Sequence, residues 1–192
     1  MARYGPDVAL IVVDMQNDFA DPGGSLSVAE AESIIPTINA QIELAREAGA
    51  PVVYTRDWHP ESTPHFAKDG GIWPVHCVAG TWGAEFHPDL VVDGPEIRKG
   101  ANGEDGYSGF TMRDPVSGET TSTGLDAWLD SVRRLVVVGL ATDYCVKATA
   151  IDGLTLGYEV TLLKDAIRAV NLEDGDGDRA LREVLDASGV VE

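Results

Sequence analysis

The chain has 192 residues, 44% hydrophobic and 24% charged, with a formal net charge of −18. That length suits one domain, residues 1–192, with a sizeable buried core. The acidic balance argues against nucleic acid or an anionic membrane as partner, because their phosphates need clustered Lys and Arg. No apolar run approaches the ~20 residues of a membrane span. Residues 1–6 lack a signal-peptide pattern, so the cytoplasm is the expected compartment. Two cysteines, Cys77 and Cys145, are too few for a disulfide framework.

In chain order, Val8–Val13 is a continuous apolar, β-branched run of the kind buried on both faces of a parallel sheet. Ile35, Ile38, Ile42 and Ala45 make a helical stripe, with Pro36 in the first turn and Gly49 as the stop. Pro51–Arg56 is a second strand ending at Asp57, and Glu96–Arg98 is a weaker one. Between them, residues 58–94 fit neither periodicity and read as a long, ordered, tryptophan- and proline-rich loop. Leu125–Leu129 is a short helix before the strand Leu135–Leu140, and Asp143–Leu156 a small-residue helix ending at Gly157. Strand Tyr158–Leu163, helix Asp178–Ala187 and a short strand at Val190–Val191 complete the chain. The acidic run Glu173–Asp178 lacks the EF-hand pattern and reads as a solvated turn and helix cap. Alternating strands and helices predict a doubly wound α/β fold, its sheet mainly parallel and covered by helices on both faces.

Open α/β sheets bind ligands beyond the carboxyl ends of their strands. There lie Asp14, Asp57 with His59, Lys99 and the segment Thr142–Cys145. Three of the four histidines, His59, His65 and His76, fall within eighteen residues. With Asp57 they form a set that suits zinc, iron or manganese, although spacing alone also allows a polar loop with incidental histidines. Cys145 is expected at a helix start, where the dipole would lower its pKa and the free N–H groups could hold an oxyanion. This points to a nucleophile, whereas Cys77, with no sheet edge behind it, reads as a packed thiol. Asp14 is either a strand cap or a general base. Lys99 is either a surface lysine or the cation that holds Asp14 ionised. His87 reads as a hydrogen-bonded structural histidine.

The segments Val13-Asp14-Met15-Gln16-Asn17-Asp18-Phe19, Asp57-x-His59, Trp73-Pro74-x-His76-Cys77, Arg98-Lys99-Gly100, Tyr107-Ser108-Gly109-Phe110 and Gly139-Leu140-Ala141-Thr142-Asp143-Tyr144-Cys145 together resemble the nicotinamidases, within the isochorismatase-like cysteine hydrolases. The resemblance runs in order along nearly the whole chain. It implies a catalytic triad of Asp14, Lys99 and Cys145, and one divalent transition metal held by Asp57, His59, His65 and His76. It also implies a cis peptide before Ala141, with the N–H groups of Ala141 and Cys145 as the oxyanion hole. Phe19, Trp73 and Tyr107 match positions that wall an aromatic ring. The implied reaction converts nicotinamide to nicotinic acid and ammonia, with pyrazinamide as an accepted isostere and the metal binding the ring nitrogen. The loop 101–106 lies where such enzymes vary, so nothing carries over to it. The rival readings are another amide or ureido hydrolase with the same triad, and a structural metal-binding protein. The latter leaves Asp14, Lys99 and Cys145 unexplained. Oligomeric state is not legible in the sequence.

Overall fold

The first apolar run becomes strand β1 (Val8–Val13), and each of its side chains is buried because the strand has neighbours on both edges and cover on both faces. The computed structural model describes residues 3–192. After β1 come one turn of helix, α1 (Asn17–Ala20), then α2 (Ile35–Glu47) and β2 (Val52–Asp57). The long loop leads to β3 (Glu96–Lys99), a hairpin of β4 (Thr111–Arg113) and β5 (Thr120–Ser122), and β6 (Arg134–Leu140). The chain closes with α3 (Lys147–Thr155), β7 (Glu159–Arg168), α4 (Asp176–Asp186) and β8 (Val190–Val191). β3, β2, β1, β6, β7 and β8 lie side by side in that order, all parallel, as the alternation of elements predicts.

Alternation along β1 divides the core in two. Val8, Leu10 and Val12 face α2, through Ile35, Ile38, Ile42 and Ala45. Ala9, Ile11 and Val13 face the layer that contains Val146, Ala150 of α3 and Val184 of α4. The strand order reverses at β1, which pairs with β2 on one edge and β6 on the other. Such a switch point opens a crevice at the carboxyl ends of the strands. Register sets what lies there: Val13 pairs with Thr55 and with Gly139, and Asp57 with Lys99.

Several elements differ from expectation. Leu125–Trp128 is a tight 3₁₀ turn. The helix expected from Asp143 splits into a turn of π geometry at Thr142–Val146 and α3 proper. β7 runs on to Arg168, past a register shift against β6 between Val137 and Gly139. α1 and the β4–β5 hairpin carry no signal, because three or four residues are too few to show a period. The acidic run forms the expected turn, in which Asp176 Oδ2 accepts from the Glu173 N–H at 2.8 Å, but it does not cap α4: Gly175, with no side chain to bond the helix N-terminus, holds the cap position.

Ile38 is fully buried at the centre of the α2 face. Ile38→Ala is expected to destabilise the protein by about 2–5 kcal/mol, through lost burial and the cavity left behind. Urea unfolding should show this as a lower midpoint at unchanged slope.

Candidate active site

Asp14 ends β1 in left-handed backbone, φ 49°, a region that Asp tolerates better than most residues. Its carboxylate is fully buried. Oδ1 accepts from Thr55 Oγ1 at 2.6 Å and Oδ2 from the Lys99 ammonium at 2.7 Å. Lys99, at the end of β3, is also fully buried. Its Nζ donates to Asp57 Oδ1 at 2.7 Å and to the Gly106 carbonyl at 2.5 Å, and lies 3.6 Å from Cys145 Sγ. Asp14, Asp57 and Cys145 bring their polar atoms within 4.8 Å of one another around this single ammonium.

Burial raises Asp14 above the usual carboxylate range, against the pull of Lys99. Burial acts the same way on Asp57. There Lys99 and the His59 and His76 rings facing its carboxylate prevail, and hold it well below that range. Burial pulls the Lys99 pKa down, but Asp14 and Asp57 outweigh it and hold the ammonium well above its ordinary value. Burial pushes the Cys145 thiol well above its ordinary value, opposed by Lys99 and reinforced by Asp14. This corrects the expectation of a lowered thiol pKa. α3 begins only at Lys147, and two carboxylates already face the one ammonium, so a standing thiolate would add a third anion. The arrangement is that of a protonated thiol beside a carboxylate raised by burial.

Beside this group lie the histidines. One ring nitrogen from each of His59, His65 and His76 falls within 4.8 Å of the others. Asp57 Oδ2 stands 3.6 Å from His59 Nε2 and 3.8 Å from His76 Nε2. His76 is turned by its Nδ1, which donates to the Pro74 carbonyl at 2.8 Å. His65 is turned by Asp105, whose Oδ1 lies 2.8 Å from Nδ1. Burial holds His65 below its ordinary pKa, with Asp105 opposing. Both ring nitrogens of His59 are buried without a partner. The loop reaches back by short backbone ladders: His59 N–H donates to the Cys77 carbonyl at 3.0 Å, and Ala67 N–H to the Trp73 carbonyl at 2.7 Å. Gly100, at φ 74°, lets the His59 ring approach, since a Cβ there would sit 2.6 Å from Nδ1.

A cavity of about 440 Å³, mouth included, joins the two groups. Phe19, Trp73 and Tyr107 line it, together with Asp14, Asp57, His65, His76, Ala141 and Cys145. The Leu140–Ala141 peptide is cis, as the resemblance implies. Trp73 Nε1 donates to the Tyr107 hydroxyl at 2.9 Å.

The sequence reading missed Leu26, Val28, Tyr144 and Val170 in the wall. Leu26, Val28 and Val170 are isolated apolar residues with no pattern to mark them. Tyr144 lay inside a quoted motif, and its ring meets Trp73 edge-on at 4.8 Å. Also missed were the supports. The Gln16 amide accepts from the Asp57 N–H at 2.7 Å and donates to its carbonyl at 2.8 Å, which fixes Asp57 from both sides. Asp18 accepts from the N–H groups of Ser25 and Cys77, which ties the Leu26 wall to the histidine loop. Asp143 accepts from the N–H groups of Val170 and Asn171. His87 stands apart from the cluster. Its Nδ1 accepts from the Asp89 N–H at 3.2 Å and its Nε2 faces Glu32 at 3.5 Å, the structural role expected of it. Cys77 is buried among neighbours, and no disulfide forms.

The fold and the site together define a class: open-sheet α/β proteins that set a buried cysteine at the switch point of a parallel sheet. A family model described as the Isochorismatase domain matches residues 8–191, and the chain belongs to that family. Its relatives there include the nicotinamidase of Escherichia coli (strain K12), 36% identical across 97% of this chain and 94% of the relative. The pyrazinamidase of Pyrococcus horikoshii, solved in complex with zinc, is 43% identical and superposes with a TM-score of 0.85, covering 97% of this chain and 99% of its own. PnC1 from L. infantum, solved in complex with nicotinate, is 38% identical with a TM-score of 0.89, covering 97% and 92%.

Removing Lys99 leaves Asp14 and Asp57 buried without their shared cation. Lys99→Ala is therefore expected to destabilise the fold by about 3–5 kcal/mol. Adding Asp14→Asn to that variant should recover part of the loss, read by urea unfolding of the single and double variants.

Proposed function

We propose that this chain is a metal-dependent cysteine amidohydrolase that converts nicotinamide to nicotinic acid and ammonia and also accepts pyrazinamide. One observation carries the reading: a buried thiol, a raised carboxylate and two of the three converging histidines, His65 and His76, share one aromatic-walled cavity. The nicotinamidase and the pyrazinamidase named above, matched across nearly the full chain, support it, as does the nicotinate bound to the L. infantum relative. Two unpaired cysteines fit a reducing compartment, which we take to be the cytoplasm.

In this mechanism the flat ring lies between Phe19, Trp73 and Tyr107, with its carboxamide toward Cys145. Asp14 takes the thiol proton as sulfur attacks the carboxamide carbon. The N–H groups of Ala141 and Cys145 receive the developing oxyanion. Asp14 returns its proton to the departing nitrogen, the C–N bond breaks, and ammonia leaves a thioester on Cys145. Water then attacks that carbonyl, Asp14 accepts its proton, and the thiol re-forms as nicotinic acid leaves. Lys99 does not transfer a proton. Its charge holds Asp14 in place and keeps that carboxylate available as a base.

The orphaned nitrogens of His59, their convergence with ring nitrogens of His65 and His76, and the nearby Asp57 carboxylate fit a divalent cation such as zinc, iron or manganese. Asp57, His59, His65 and His76 would hold it. When bound, it supplies a Lewis-acid position that fixes the ring nitrogen and so orients the carboxamide. The zinc complex of the P. horikoshii relative supports a divalent metal in this chain.

Cys145→Ala is expected to abolish ammonia release from nicotinamide while bound zinc, measured on the same preparation, stays at the wild-type level. Near-wild-type turnover in that variant would sink the mechanism. Stripping the metal should remove activity toward nicotinamide and pyrazinamide without changing the far-UV circular dichroism, and added zinc should restore it. Loss of the fold on stripping would favour a structural metal instead.

A further inference from the structure

Three consecutive residues in the loop between β3 and β4 each reach a different part of the site. Asp105 Oδ1 lies 2.8 Å from His65 Nδ1. The Gly106 carbonyl accepts from Lys99 Nζ at 2.5 Å, and the Tyr107 hydroxyl accepts from Trp73 Nε1 at 2.9 Å. The loop is anchored on both sides of these contacts. Asp105 pairs with Arg113 by two backbone hydrogen bonds, at 2.8 and 2.9 Å. Thr63 Oγ1 donates to the Gly103 carbonyl at 2.9 Å and accepts from the His65 N–H at 3.2 Å. His65 is thus gripped by this loop through its backbone and through its ring.

We propose that Asp105 is a positioning residue for the metal centre, fixing His65 as the Nδ1–H tautomer so that Nε2 is the nitrogen offered to the cation. A carboxylate can only accept at this contact, so the proton must sit on Nδ1 and the lone pair on Nε2. His76 reaches the same state through the Pro74 carbonyl, so two of the three histidines have their tautomer set by an acceptor behind the ring. Such outer partners orient a ligand and raise its basicity. Because Asp105 and Gly106 are neighbours, the histidine end of the site and the ammonium end are held by one strap. The inference rests on the metal reading above.

Zinc affinity of the intact protein, measured by competition with a chromophoric chelator, tests it. Asp105→Ala is expected to weaken zinc binding by about 10- to 100-fold. Asp105→Asn keeps an oxygen that can accept from Nδ1–H, so it should recover most of that loss. In a His65→Ala background, Asp105→Ala should have no further effect, because it acts only through the ring. Wild-type affinity in Asp105→Ala, or an equal loss in both backgrounds, would overturn the proposal while leaving the metal reading intact. A wild-type protein that takes up no zinc would overturn the metal reading and this inference with it. Thermal unfolding of the zinc-free variants separates a local effect from a damaged fold: unchanged midpoints support the proposal, and a collapse shared by Asp105→Ala and Asp105→Asn overturns it.

Discussion

The ammonium of Lys99 is the point on which the site depends. A lysine without solvent exposure is stable only if its charge is matched nearby, and here Asp14, Asp57 and the Gly106 carbonyl surround it. That requirement draws together the ends of β1, β2 and β3 and the following loop. It also links two chemistries, since Asp14 faces the thiol while Asp57 faces the histidines. With one cation shared between two carboxylates, Asp14 is raised and Asp57 depressed. Two residues of one type are thereby sorted by environment, one toward proton transfer and one toward permanent charge.

Around this point the protein spends many polar contacts on holding backbone that belongs to neither helix nor strand. Gln16 clasps both polar groups of the Asp57 peptide, Asp18 joins two loops, and Asp143 ties the turn before α3 to the segment after β7. Buried loop backbone must find partners, and these side chains supply them. The same bonds fix the cavity wall, so rigidity and solvent exclusion come from one set of contacts.

Much of this was legible in residue order. The β-branched runs and their terminal Asp and Lys residues announce a parallel sheet and its active edge, because burial on both faces and strand-end chemistry leave local marks. The motifs around Asp14, Asp57, Trp73, Lys99 and Cys145 carried the family resemblance, and with it the reaction. Other features left no mark. Leu26, Val28 and Val170 are single apolar residues in irregular segments. Asp105 sits in the loop where such enzymes vary, so the resemblance carried nothing to it. The thiol pKa was misread because the position of Cys145 near a helix start is local, whereas its burial beside two carboxylates is not.

The sequence by itself determined the sheet, the helices that cover it, and which side chains stand at the strand ends. Those follow from periodicity and chain direction, which are properties of neighbours in the chain. Only the tertiary structure decided which charges meet, which nitrogens of His65 and His76 are held by an acceptor, and how the loop returns to the sheet. Those depend on residues as far apart as Asp14 and Lys99, or His65 and Asp105, and on the exclusion of water between them. In a low-dielectric interior that proximity, rather than residue type, sets protonation.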